Sequence, residues 1–305
     1  MTDHPIRFLQ PLWDLLHAVS LDERRCILCH IPFAPAPSKN LALPIPLGHT
    51  APALPLSRQT LCPSCQTLLQ PRKGGYCPLC GDMHALTDTP PTLCGECLSH
   101  PPPWEHFRFF GSYSGALKTL MLRGKFGADP AALRLLGHFL ALACADLPVP
   151  DAIVPVPLHV SRLRERGFNQ SQELARPLAE RLGIPLMPHL LRRQIATRHQ
   201  VGLSRDERRA NLTSAFAASQ EARGKRILLI DDTFTTGTTL RKAAQALLAV
   251  GQSNESERVL VDVAVVARTV REPCAFQNTL TLLPETTRSV SVQGEPLPRS
   301  CCTLS

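Results

Sequence analysis

Aromatic residues are scarce in this chain: they make up 5% of its 305 residues, with two tryptophans and two tyrosines. A nucleic-acid surface built on many stacked bases has little material to draw on. Long apolar runs are missing as well. The longest, Phe139 to Ala145 in "GHFLALACAD", falls far short of the roughly 18 to 20 residues of a membrane-spanning helix. The opening "MTDHPIRFLQPLWDLL" has acidic residues where a secretory leader would be basic and then apolar. The expected address is the cytoplasm. No G-x-x-x-x-G-K-[ST] occurs anywhere, which removes the Walker class of nucleotide hydrolases.

What is present is a globular composition, 44% hydrophobic, at a length where a single core stops growing, so two domains are expected. The net charge of +8 is unevenly spread, with 11 basic against 5 acidic residues between Ser161 and Arg209. That segment is where anionic ligands are expected.

Eight of the 12 cysteines lie before residue 98 in four copies of one spacing: Cys26/Cys29, Cys62/Cys65, Cys77/Cys80 and Cys94/Cys97. A C-x-x-C turn sets two thiolates on one side of a knuckle, and two knuckles complete the tetrahedral four-sulfur site that Zn²⁺ favours. Four knuckles imply two zinc ions. Disulfides would need an oxidising compartment, and a redox C-x-x-C normally occurs once, near a βαβ pattern. Sequential pairing is the simplest, although the 32-residue Pro-rich stretch between Cys29 and Cys62 reads as a flexible insertion. Cys144, on an expected helix, reads as a small core hydrophobe.

After the stiff "PPPWEH" the chain changes character. "FRFFGSY" reads as a strand and "SGALKTLMLRGKF" as a helix. "DPAALRLLGHFLALACAD" reads as a second helix with Asp129 at its N-cap and Pro130 at N1. "DAIVPVP" is a strand entering a loop. "NQSQELARPLAERLG" is a helix stopped by Gly183 and open to a kink at Pro177, and "IPLMPHL" is a short strand. "KRILLIDD", "GTTLRKAAQALLAVG" and "RVLVDVAVVAR" read as strand, helix and strand. This alternation predicts an α/β fold with a parallel, doubly wound sheet, in which ligands bind beyond the carboxyl ends of the strands. The organisation expected is a double zinc ribbon over 1–105, the α/β domain over 106–271 and a disordered tail over 272–305.

In "ILLIDDTFTTGTTL" two carboxylates, Asp231 and Asp232, stand at a strand end, and Thr235, Thr236, Gly237, Thr238 and Thr239 form the turn into the next helix. Free N–H groups, hydroxyls and the positive end of a helix dipole make such a turn a phosphate cradle. The plainer alternative is that Thr236 only caps the helix and the aspartates only bound a loop.

This stretch resembles the phosphoribosyl pyrophosphate (PRPP) signature of type I phosphoribosyltransferases. Four knuckles, "CGECLSHPPPWEH", "VPVPLHVSRLRERGFNQSQELA", "RQIATRHQVGLSRDERRANLTSAF" and the signature follow one another in the order of the ComF family. The resemblance spans roughly residues 24 to 270 and departs from the family in the Pro-rich insertion and the tail. It implies that Asp231 and Asp232 hold the ribose hydroxyls and favour positive charge at the anomeric carbon. It also implies that the Thr235–Thr239 turn binds the 5′-phosphate, and that Mg²⁺ accompanies PRPP. By the same resemblance Arg162, Arg164, Arg166 and Gly167 belong to a pyrophosphate loop, and Arg198, Gln200, Arg208 and Arg209 to a flexible loop that closes over the site. The acceptor is not named by any motif. The resemblance leaves two functions open: transfer of ribose 5-phosphate, or a non-catalytic module that senses PRPP or handles single-stranded DNA with DNA-uptake partners. Tyr76, Trp104, Phe107, Phe109 and Phe110 around the linker would serve domain packing in the first case and base stacking in the second.

Overall fold

The computed structural model describes residues 24–35, 60–84, 86–127, 129–194, 215–251 and 257–270, all within one compact unit. Its centre is a four-stranded sheet of β3 (Phe107–Ser112), β8 (Leu260–Arg268), β7 (Arg226–Phe234) and β4 (Ala152–Pro155), in that spatial order. All three pairings are parallel, with Phe107 opposite Val263, Ile230 opposite Ala264 and Ile153 opposite Leu228. The near-continuous apolar runs of β7 and β8 are what a sheet covered on both faces requires.

Successive residues serve opposite faces. Leu228 and Ile230 join the core beneath helices α3 (Gly115–Phe126), α4 (Pro130–Ala143) and α6 (Gln170–Leu182), while Ile227 and Leu229 join the core beneath α7 (Thr238–Val250). The Asp129 side chain caps α4 by accepting from the N–H groups of Ala131 and Ala132, as the sequence led us to expect. Gly183, at φ 65°, ends α6. Pro177 sits inside that helix, buried at a close crossing with α4, where a side chain on Gly137 would meet its ring at 2.8 Å. Cys144 is buried in the core, and burial pushes its thiol up to about 12, consistent with an inert hydrophobe.

Two readings change. The segment "IPLMPHL" is not a strand: it makes a single parallel bridge, Leu186 to Ile153, and Pro188–Leu190 then turn as a 3₁₀ helix. Proline at 188 has no N–H to continue the ladder. The loop after β4 also contains a short helix, α5 (Val160–Arg166), closed by Gly167 at φ 76°. Beyond it a two-stranded antiparallel pair, β5 (Leu191–Arg193) with β6 (Phe216–Ala218), flanks residues 195–214.

The cysteine-rich region, which carries β1 (Arg24–Arg25), β2 (Pro32–Phe33), α1 (Pro63–Thr67) and α2 (Gly95–Ser99), covers the outer edge of β3. The Arg72 N–H donates to the Phe110 carbonyl at 2.8 Å, and the Ser112 hydroxyl lies 3.4 Å from Met83 Sδ. Edge strands left bare invite further pairing, so this covering is a protective device. Each knuckle pair also enters one face of the core: Cys26, Cys62 and Cys65 lie with Phe110 and Leu120, and Cys77, Cys80 and Cys97 with Trp104, Phe107 and Phe109.

Candidate functional site

Asp231 and Asp232 fall near the carboxyl end of β7, an interior strand. One oxygen of Asp231 accepts both the Ser171 hydroxyl and the Asp232 N–H, each at 2.9 Å. Lys125, in the last turn of α3, places its ammonium 3.2 Å from Asp232. A loop, a helix start and a helix end thus converge on two adjacent carboxylates. Asn169 sets the loop: its side chain accepts from Ser171 N–H as the N-cap of α6 and donates to the Val156 carbonyl at 3.1 Å.

The turn that follows is open to solvent at Thr235, Thr236, Thr238 and Thr239 and buried at Gly237. Gly237, not Thr236, occupies the N-cap of α7, at φ 75°, a region that favours glycine. A Cβ there would lie 2.3 Å from the Phe234 ring, so the glycine is required from beneath as well as by the backbone. The Thr236 and Thr238 hydroxyls are 3.0 Å apart. The N–H groups of the first turn of α7 have no carbonyl four residues back and face outward with the helix dipole.

Arg166 donates to Gln170 at 2.9 Å, and its guanidinium lies 5.6 Å from the centre of the Phe126 ring. Its Nε is buried and, among the described residues, has no partner. Arg162 and Arg164 are exposed on α5, and Gly167 is its left-handed cap. Arg198, Gln200, Arg208 and Arg209 lie outside the described residues.

Burial pushes the Asp231 carboxyl up to about 7, and the neighbouring Asp232 charge adds to the effect against the opposing pull of the Asp232 N–H, Ser171 and Lys125. A carboxyl raised in the fold above its ordinary value of 3.8 holds its proton in the native state while the unfolded chain has released it. The native state then binds more protons, and stability falls as pH rises from that value through about 7. The ligand-free protein is therefore expected to melt at a lower temperature at pH 8 than at pH 5.5, and Asp231→Asn to flatten this part of the profile. Parallel profiles for parent and variant would refute the assignment.

The eight knuckle cysteines form two clusters, Cys26/Cys29/Cys62/Cys65 and Cys77/Cys80/Cys94/Cys97, with the sulfurs of each within 4.8 Å of one another. Pairing is sequential. Four sulfurs at about 2.3 Å around a tetrahedral zinc stand about 3.8 Å apart. The Cys29–Cys62 and Cys80–Cys94 separations of 3.7 and 3.6 Å match that spacing.

The aromatic group at the linker is resolved in favour of packing. Trp104, Phe107, Phe109 and Phe110 are buried, Tyr76 meets Phe109 edge-on at 5.1 Å, and Phe110 stacks on Phe139 at 4.4 Å. None of the four buried rings offers a face to a base.

Comparison with known proteins meets this geometry from another side. A family model described as "Phosphoribosyl transferase domain" matches residues 156–272, the stretch that holds the loop after β4, the aspartate pair and the threonine turn. Competence protein F of Haemophilus influenzae is 33% identical over 212 residues, 67% of this chain and 90% of that protein. The chain belongs to the ComF family. DNA utilization protein YhgH of Salmonella typhi is 37% identical over 205 residues, 65% of this chain and 88% of that one. Competence protein ComFC of Bacillus subtilis is 30% identical over 204 residues, 64% of this chain and 80% of that one. In this ComF chain Lys125 and Ser171 were not singled out by sequence reasoning. Neither carries a local signal: Ser171 reads as an ordinary residue of a helix start, and Lys125 lies upstream of the matched domain.

Proposed function

We propose that this chain binds PRPP together with Mg²⁺ and acts on it as a phosphoribosyltransferase, transferring ribose 5-phosphate to an acceptor. The observation that carries this is the placement of two carboxylates immediately before a glycine-capped phosphate turn on one interior strand of a parallel sheet. In this reading Asp231 and Asp232 accept from the ribose 2′- and 3′-hydroxyls. The first turn of α7 and the threonine hydroxyls bind the 5′-phosphate. Transfer breaks the bond from the anomeric carbon to pyrophosphate, with the electron pair leaving on the pyrophosphate, and the paired carboxylates favour the positive charge left on the sugar. Mg²⁺ accompanying the substrate would supply positive charge to offset that of its phosphate groups. Arg162, Arg164, Arg166 and Gly167 serve the pyrophosphate, and Arg198, Gln200, Arg208 and Arg209 close over it and exclude water. The two cysteine clusters hold zinc, which fits a reducing cytoplasmic setting.

A second reading is favoured by the exposed arginines of α5 and by relatives named for competence and DNA utilization: a module that handles single-stranded DNA in DNA uptake. Burial of the linker aromatics removes its stacking platform and leaves it the basic segment alone. One experiment separates the two. PRPP with Mg²⁺ is expected to give a calorimetric binding signal, to slow proteolysis within 197–211 several-fold and to displace single-stranded DNA from the protein. Absence of any PRPP signal overturns the first reading. DNA binding that is steeply salt-dependent yet unchanged at saturating PRPP favours the second. A screen for pyrophosphate release then identifies the acceptor.

A further inference from the structure

The second cysteine cluster and the phosphate turn share a set of side chains. Arg268, the last residue of β8, is 2% exposed and stands opposite Phe234 in the sheet. Its Nε donates to the Cys80 carbonyl at 3.0 Å, inside the Cys77–Cys80 knuckle. Its Nη1 donates to the Phe234 carbonyl at 3.2 Å and the Thr235 carbonyl at 2.9 Å, the entry to the phosphate turn. The guanidinium lies 4.8 Å from the centre of the Phe234 ring, the ring on which Gly237 rests. Trp104 repeats the pattern. Its Nε1 donates to the Leu79 carbonyl of the same knuckle at 2.7 Å, its ring meets Phe234 edge-on at 6.1 Å, and Arg241 from the first turn of α7 lies 5.6 Å from its centre. Two successive carbonyls of one metal knuckle are thus each taken by a side chain that supports the turn from behind. The first cluster packs with the core on the opposite face of the sheet, where Arg123 donates to the Ile27 carbonyl.

We propose that Arg268 is a positioning residue for the phosphate turn, and that through it metal binding at Cys77/Cys80/Cys94/Cys97 and PRPP binding favour one another. The planar fork of arginine is what the role needs, because a single donor cannot hold the knuckle carbonyl and the two turn carbonyls at once. The shared set has two discrete ends, so tightening either end limits the motion of the other, and the linkage must act equally in both directions. The proposal rests on the PRPP reading above.

The test uses full-length, zinc-loaded protein. Arg268→Lys is expected to weaken PRPP binding by calorimetry about tenfold, within the usual range of coupling between sites. In the parent, saturating PRPP with Mg²⁺ is expected to raise the chelator concentration needed to strip one of two zinc ions by about the same factor, and in Arg268→Lys to leave it unchanged. A purely structural arginine would lower the melting temperature and leave that PRPP dependence intact, which overturns the proposal, as does parental PRPP affinity in the variant. Hydrogen exchange across 234–240 gives a readout that needs no PRPP. Cys94→Ser is expected to accelerate it, and Cys62→Ser, in the first cluster, to leave it as in the parent. If the parent fails to bind PRPP, the functional reading falls, and unchanged exchange in Cys94→Ser would then reject the linkage on its own evidence. Should Cys94→Ser not fold, exchange in Arg268→Lys decides in its place.

Discussion

Replacing Asp231 and Asp232 together with asparagine is expected to weaken PRPP binding at least about a hundredfold, because a hydrogen bond to a charged group contributes roughly 1.5–3 kcal/mol and two are lost. A factor of ten corresponds to about 1.4 kcal/mol. The fold should survive. The asparagine that replaces Asp231 keeps an oxygen able to accept from Ser171 and from the following N–H, the two contacts that order the aspartate in the native chain. Two adjacent half-buried carboxylates repel each other, and removing both relieves that repulsion while leaving Lys125 without its partner. These effects oppose one another, so the melting temperature should move by only a few degrees. Calorimetry and a thermal melt on the same preparation check both halves. Parental affinity in the double variant would show that the pair does not touch the sugar.

Metal loss should have the second large effect. Freshly purified, reduced protein is expected to contain close to two zinc ions per chain, and Cys77→Ser close to one. A structural zinc supplies on the order of 10 kcal/mol of apparent binding energy, comparable with the whole stability of a typical domain. A boundary drawn at residue 105 would confine the damage to the ribbon. Cys77 is, however, fully buried in the same core as Trp104, Phe107, Val263 and Phe234, so its loss acts beyond the ribbon. The variant is therefore expected to melt more than ten degrees below the parent at the α/β unit itself, read by the far-ultraviolet dichroism of its helices. Protein free of zinc when prepared under reducing conditions, or a variant with unchanged melting, would overturn this account.

The local chemistry of the site was legible in the sequence because it is written in neighbouring residues. The apolar run before Asp231 fixes a covered strand. Gly237 fixes a left-handed turn, Asp129 with Pro130 starts a helix, Gly183 stops another, and C-x-x-C fixes a knuckle. The expected parallel sheet follows from the alternation of such runs, and membership of the ComF family follows from the order of the motifs. Local pattern was silent or misleading where the deciding partner came from elsewhere. "IPLMPHL" is apolar enough for a strand, yet Pro188 cannot join the ladder and only Leu186 pairs.

Some properties belong to the tertiary structure alone. Ser171 reaches Asp231 across 60 residues of chain, and no spacing rule announces a hydroxyl that far away. Lys125 meets Asp232 only because α3 ends beside β7. The knuckle spacing determined that thiolates come in pairs and made sequential pairing the simplest, and the tertiary structure brings those pairs together, one cluster with the core on each face of the sheet. The aromatic group at the linker could have faced solvent or protein. The tertiary structure decided it: Phe110 packs on Phe139 of α4 on one face of the sheet, and Trp104, Phe107 and Phe109 join the core with Phe234 on the other, where burial removes their surface from water.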